Sequence, residues 1–313
     1  DYFTKFFGSK AGPFMKEYWM TLDQAFANLK CHSGGFYSLP LIYTPEFLAK
    51  CQNLLDKAAD AAKEDKNYAA RVTMHAEGFK NAVQFRQIFD AMNRGDFIEA
   101  KKIYDDLHTR AAEHVKAGFG SQVTVDWLVR FLRGPVEAGA KAVAPPNKVD
   151  QVLPDQWRWM RVEPSGTPRI EGASIPETQD VGIQNGWQQT DFDDSSWQTV
   201  ATWSKTLDAQ GIPDKPTVMW YRTKFKAPEK YGKLALFFTE IDGSPTVYVN
   251  GQKVGERLAL RGPFTLDVKD AAHPGDNVIA IRVNHSILTE LSLGGILRPV
   301  LLIEKPAEAV VSP

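Results

Sequence analysis

Apolar positions recur every three or four residues from Asp1 to Val143 and every second residue from about Asp150 onward. The first spacing is that of helices with one buried face and the second that of strands. Phe14, Tyr18, Leu22, Ala25 and Leu29 predict a helix from about Pro13 to Leu29, with the proline in the first turn, where its missing N–H costs nothing. Thr44-Pro45-Glu46-Phe47 reads as the next helix start, with Thr44 as N-cap, and Leu48, Cys51, Leu55, Ala58 and Ala62 follow as its stripe. A third helix is expected over Asn67 to Met92. Gly95 suits its left-handed end and Asp96 the cap of a fourth, which carries Phe97, Ala100, Tyr104 and Leu107. A fifth is expected from Val123 to about Ala142, broken or kinked at Gly134-Pro135. Gly95 to Leu107 looks like half of a tetratricopeptide unit, but no copy follows at about 34 residues, so a compact antiparallel bundle is expected rather than a repeat array.

Val143-Ala144-Pro145-Pro146-Asn147-Lys148 ends the helical pattern, because successive prolines favour an extended, stiff connection. The expected organisation is a helical bundle over 1–143, a Pro-rich linker over 144–155 and a β-sandwich over 156–306. Trp157 to Val162 is expected as the first strand. An irregular stretch from Gly166 to Gly211 then carries Trp187, Trp197 and Trp203. Trp220 to Lys226 and Lys233 to Phe238 read as strands. Val247 and Val249 are expected to face inward and Tyr248 outward, and Asn250-Gly251 signals a two-residue hairpin turn. Phe264, Leu266 and Val268 form one strand face, Ile279, Ile281 and Val283 another, and Leu297 to Ile303 a last strand. The fold class expected is multidomain: an all-α bundle followed by an all-β sandwich of jelly-roll type.

Among 313 residues, 43% are hydrophobic and 24% charged, with a net charge of -1. A near-neutral chain offers no field to draw a polyanion, so nucleic acid is not an expected partner. No apolar run approaches the ~20 residues that cross a bilayer, so no membrane partner is expected either. The chain starts at Asp1 without a methionine; a fragment or mature product is the expectation, and the lack of a leader says little about compartment. Two cysteines, Cys31 and Cys51, are too few for a disulfide framework or a zinc site; two separate thiols are favoured over a bond between them. His32, His75, His108 and His114 lack a metal-pair spacing and are expected at surface or capping positions. Asp191, Asp193 and Asp194 cluster, but Asp193-Asp194-Ser195-Ser196 reads as a turn ahead of Trp197. No phosphate loop, Ser-His-Asp motif or His-Glu-x-x-His is present.

The order Phe192-Asp193-Asp194-Ser195-Ser196-Trp197, Trp220-Tyr221-Arg222, Val247-Tyr248-Val249-Asn250-Gly251, Gly275-Asp276-Asn277, Gly294-Gly295-Ile296 resembles the sugar-binding jelly roll of glycoside hydrolase family 2. That galactose-binding-domain-like fold occurs across β-galactosidases, β-glucuronidases and their relatives. The opening Asp1-Tyr2-Phe3-Thr4-Lys5-Phe6-Phe7-Gly8 resembles the helical segment after the catalytic barrel in a bacterial family of large glycosidase-like proteins. Together the two resemblances imply the C-terminal region of a bacterial glycoside hydrolase, periplasmic or secreted, whose catalytic barrel lies upstream and is one of its partners. A carbohydrate ligand is the other partner implied. Some domains of the resembling kind hold a structural calcium; no ligand spacing here is diagnostic of one, and no cofactor is assigned.

Sugars stack their C–H faces on aromatic rings while polar side chains fix the hydroxyls. The candidates are Trp187 and Trp203 in the irregular stretch, Asn284 and His285 at a strand end, and Glu240, Asp242 and Arg298 near other strand ends. In family 2 enzymes an asparagine of the corresponding strand end reaches the neighbouring active site, and Asn284 matches it. Packing or capping competes with binding at each position; Trp197 and Trp220 are read as core, and Arg222 as an ion-pair partner. No pattern holds two carboxyl groups across a scissile bond, so no catalytic residue is assigned. The expected function is a non-catalytic carbohydrate-binding region. The alternatives are a purely architectural pair of domains and, last, a small glycosidase in its own right.

Overall fold

The structure, a computed structural model, describes residues 1–31, 37–118, 122–162, 180–213, 215, 217–258, 261–268, 270–286 and 293–306, with the backbone alone over 122–129. His32, Gly34-Gly35 and the first part of the irregular stretch lie outside the described residues. The helices are α1 (Tyr2–Ala27), α2 (Leu39–Ile42), α3 (Pro45–Ala62), α4 (Lys66–Asn93), α5 (Phe97–Lys116) and α6 (Gln122–Val143). Two compact units result: residues 1–90 with 102–130, and residues 91–101 with 131–313.

In the first unit α1 packs on α3. The core gathers Phe7, Ala11, Met15 and Tyr18 with Cys51, Leu54, Leu55, Ala58, Val72 and Phe79. Helix α1 starts eleven residues earlier than its stripe suggested, because Gly8 turns the backbone through φ 84 and joins two helical pieces. Pro13 therefore lies inside α1. The Thr44 cap forms as expected, its hydroxyl accepting from Phe47 N at 3.2 Å. Cys31 and Cys51 are free thiols, and burial pushes the Cys51 thiol up to about 11. His75 is half-buried, its ring edge-on to Trp19 at 5.5 Å and tilted against Phe7 at 5.3 Å.

The second unit is the sandwich with two helical pieces laid on it. Its strands are β1 (Lys148–Val152), β2 (Gln156–Val162), β3 (Gln198–Ala201), β4 (Thr217–Ala227), β5 (Lys233–Phe238), β6 (Ile241–Asp242), β7 (Ser244–Val249), β8 (Gln252–Glu256), β9 (Phe264–Asp267), β10 (Gly275–His285), β11 (Gly295–Ile296) and β12 (Val300–Lys305). They form a four-stranded sheet β1-β12-β5-β9, a six-stranded sheet β3-β2-β4-β10-β7-β8 and a small β11-β6 pair, all antiparallel. Strand β1 falls within the stretch expected as linker. Trp157, Trp159, Met219, Tyr221, Phe225, Val247, Val249, Ile279, Ile281 and Val283 meet Leu234, Leu236, Phe238, Val300 and Leu302 in the core between the sheets. At the β7–β8 hairpin Asn250 and Gly251 take φ 51 and 82, the left-handed pair that a two-residue turn needs.

Both sheets are also covered outside. On the four-stranded sheet Phe97 stands edge-on to Phe237 at 5.7 Å. A Cβ on Gly139 would fall within 2.0 Å of the Phe97 ring, so only glycine lets α6 approach there. This double burial explains why β5 is a continuous apolar run instead of an alternation. On the six-stranded sheet a cover runs from Asp180 to Trp197 and includes the short helix α7 (Val181–Gln184). Beneath it Trp197, Trp220, Tyr248, Ala280, Val162 and Val218 form a second core. Tyr248 thus points outward, as expected, yet stays buried, stacked on Trp220 at 5.8 Å.

Asp180 fastens the cover to the sheet. Its Oδ1 accepts from Gly182 N at 2.7 Å and from Trp220 Nε1 at 3.1 Å, and its Oδ2 accepts from Arg282 Nε at 2.8 Å. Trp220 and Arg282 are register partners on β4 and β10. Gly182 is obligatory, since a Cβ there would lie 2.5 Å from Trp220 Nε1. Replacing Trp220 with Ala should cost about 3–5 kcal/mol in urea unfolding, the range for a buried large aromatic; a loss well under 1 kcal/mol would contradict its core position. Asp180→Ala should cost a similar ~3–5 kcal/mol, because Arg282 is left charged and buried without its carboxylate.

Candidate functional site

The sequence candidates separate into three places. Glu240, Asp242, Asn284, His285 and Arg298 gather at one corner of the sandwich, where β6 pairs with β11 and β10 ends. Gly295 lies opposite Asp242 in the register. The Asp242 carboxylate, 2 % exposed, accepts from Arg261 Nη2 at 3.1 Å, Leu293 N at 2.8 Å and Gly294 N at 3.0 Å. Burial alone would raise its pKa, but the Arg261 charge and hydrogen bond and the two amides outweigh burial and hold it below the usual carboxylate range. Glu240 Oε2 accepts from Arg298 Nε at 2.9 Å, both side chains being buried. The His285 ring, also buried, packs beside Gly294, where an added Cβ would lie 3.1 Å away. Asn284 Oδ1 accepts from Ser286 N at 3.2 Å.

Among the described residues, each carboxylate of this corner is matched to a guanidinium. Asp242, held ionised, has no proton to give near neutral pH, and Glu240 is tied to Arg298. The arrangement orders the loops at that end; it does not present an acid facing a base across an open cleft.

Trp187 is elsewhere, in the cover over the six-stranded sheet, edge-on to Trp197 at 4.9 Å and to Trp220 at 5.9 Å. Its carbonyl accepts from Arg222 Nη1. Trp203 follows β3, in a loop pinned by Asp155, whose Oδ1 accepts the amides of Thr202, Trp203 and Ser204. The Trp203 side chain is half-buried, and its indole N–H has no partner among the described residues. Of the two tryptophan candidates, Trp203 is the one left outside the packed cluster.

One open feature carries residues that the sequence reading did not select as a site. A groove of about 450 Å³ lies along β2 and β4 and is lined by Gln156, Arg158, Asp194, Thr199, Arg222 and Lys224, among others. Asp194 belongs to the turn ahead of Trp197, and Asp193 closes that turn by accepting from Ser195 N at 3.0 Å. The available signal was basic residues within strands otherwise rich in aromatics: Arg158 between two tryptophans, and Arg222, Lys224 and Lys226 at alternate positions after Trp220. Among the described residues no group of three His, Cys, Asp or Glu side chains is placed to hold a metal ion, and no helix is long and apolar enough to cross a membrane.

Residues 152–306 match the family model for the sugar binding domain of glycosyl hydrolases family 2. A beta-galactosidase of Thermoanaerobacter pseudethanolicus is 32% identical over 102 residues, covering 30% of this chain and 14% of that protein. An alpha-L-rhamnosidase of Streptomyces avermitilis is 26% identical over 131 residues, covering 38% of this chain and 13% of that protein. Among solved structures, a beta-glucuronidase of Ruminococcus gnavus aligns with a TM-score of 0.41 at 19% identity, over 52% of this chain and 29% of that one. The chain thus spans a small part of the length of the relatives it matches.

The pKa of Asp242 fixes the sign of one prediction. A carboxylate whose folded pKa is depressed adds stability that is fully present above its unfolded pKa and is lost as pH falls through the folded pKa. Asp242→Asn should therefore lower stability at neutral pH and flatten the loss between about pH 5 and about pH 2 relative to the parent, as read by urea unfolding across pH. Parallel curves for the two proteins would contradict the ion-paired state of Asp242.

Proposed function

We propose that this chain, whose residues 152–306 are a sugar-binding domain of glycosyl hydrolases family 2, is the non-catalytic, carbohydrate-binding accessory region of a larger glycoside hydrolase. The observation that carries this reading is that family match, which covers the sandwich from β2 to β12. Two others support it. The matched segments are 14% of a beta-galactosidase and 13% of an alpha-L-rhamnosidase, as suits a module within a long enzyme. And the carboxylates of the candidate corner are each engaged by arginine, whereas glycoside hydrolysis needs two carboxyl groups about 5–10 Å apart with the scissile bond between them. The partners in this reading are a glycan and an upstream catalytic domain, and the location is the periplasm or the cell exterior.

A second reading has its own support. Trp187 is committed to packing with Trp197 and Trp220, and Glu240, Asp242, His285 and Arg298 are buried. These are the features of a domain that stiffens its neighbour and binds no free sugar. A glycan array with the purified chain separates the two. Carbohydrate binding predicts reproducible retention that Trp203→Ala abolishes with an unchanged melting temperature. Trp187→Ala should instead lower the melting temperature, by the ~3–5 kcal/mol scale of lost aromatic packing at most. A blank array with folded protein would favour the architectural reading, and hydrolysis of aryl glycosides by the pure chain would overturn both.

A further inference from the structure

Arg158 on β2 and Arg222 on β4 stand directly opposite each other in the register. Like charges at that cross-strand position, with Cβ atoms ~5 Å apart, destabilise a sheet unless something answers them. One carboxylate does so: Asp194 Oδ2 accepts from Arg222 Nε at 2.8 Å, and its Oδ1 lies 3.9 Å from Arg158 Nε. Lys224, two residues beyond Arg222 and so on the same face of β4, is exposed, and its ammonium has no hydrogen-bond or ion-pair partner among the described residues. Among the described residues, three cations line the groove and Asp194 is the one carboxylate in its wall. Asp193, beside Asp194 but outside the wall, accepts from Ser195 N and adds a weaker attraction to Arg158, and Asp155 is turned away to the amides of the Trp203 loop.

The two arginines are held in place. Arg222 is 2 % exposed and is fixed by Asp194 and the Trp187 carbonyl. Arg158 Nη1 donates to Trp197 O at 3.2 Å and to Thr199 Oγ1 at 3.1 Å. Positive charge anchored this way loses little conformational entropy when an anion arrives. The remaining wall mixes polar and apolar groups, with Gln156 and Thr199 able to meet hydroxyls and Pro154 and Val278 a C–H face. A volume of about 450 Å³ falls in the range of small-molecule sites.

We propose that this groove binds an acidic sugar, its carboxylate or sulfate seated between Arg158 and Lys224. The inference rests on the carbohydrate-binding reading and names the class of glycan. An anionic oxygen group matches the planar guanidinium fork of Arg158, while Lys224 contributes a point charge.

The test is calorimetric titration of the whole chain with three sugars that share one ring stereochemistry: galactose, galacturonic acid and galactose 6-sulfate. Inorganic sulfate is a fourth probe. At ~20 mM salt at least one acid should bind about tenfold more tightly than galactose, and the gap should narrow at ~300 mM salt, where the screening length is short. Which acid wins distinguishes carboxylate from sulfate. Lys224→Glu should remove most of that preference without changing the melting temperature, and Arg158→Gln should remove most of it while lowering stability through its lost bonds to Trp197 O and Thr199 Oγ1. Lys230→Glu, an equal change of net charge outside the groove, should leave it intact. A preference that survives Lys224→Glu, or equal binding of acid and neutral sugars, overturns the groove and leaves the carbohydrate-binding reading standing. Inorganic sulfate binding as tightly as galactose 6-sulfate would overturn recognition of the sugar. If no sugar binds at any salt, both fall.

Discussion

A single buried carboxylate holds the outer face of the six-stranded sheet together. Asp180 is 1 % exposed, and a lone charge in that setting would be prohibitively costly. It is tolerated because Arg282 supplies the opposite charge and Trp220 and Gly182 supply neutral donors. Trp220 and Arg282 face each other across β4 and β10, so the segment that carries Asp180 can settle only over that rung of the sheet. Trp187, Phe192 and Trp197 then close over Trp220. Arg222 adds a second fastening a rung away, through Asp194 and the Trp187 carbonyl. A sheet that period-two patterning would leave half in water is in this way buried on both faces around Trp220.

That constraint bears on function. Aromatic rings are the natural platforms for sugars, and this domain is rich in tryptophan, yet the cover consumes Trp187, Trp197 and Trp220 as packing. The polar corner at β6 and β11 follows the same logic with charges, since Arg261 and Arg298 satisfy the acids that sequence alone offers as ligand-binding groups. The Trp203 loop and the cationic groove stay open, and Asp155 links them. It lies between the groove-lining Pro154 and Gln156 and holds the Trp203 loop by its amides. In the carbohydrate-binding reading proposed above, these features serve recognition better than the corner does.

The sequence by itself determined the local chemistry. The Asn250-Gly251 turn, the Thr44 and Asp96 caps and the Gly95 helix end were legible because each depends on backbone conformations or hydrogen bonds a few residues apart. So were the change of period near Val143 and the inward-facing residues of β7 and β10, because alternation records which face is buried. The reach of α1 was not legible, since the apolar stripe continues through Gly8 in a different helical frame. Nor was β1, which lies beside the prolines and exists through its pairing with β12. Tertiary structure alone decided which polar residues are spent on each other. Asp180 meets Arg282 across 102 positions and Glu240 meets Arg298 across 58, and no periodicity carries information over such distances. The same holds for the two arginines that β2 and β4 bring face to face: each is an ordinary outward residue of its own strand, and only the register makes them a charged groove.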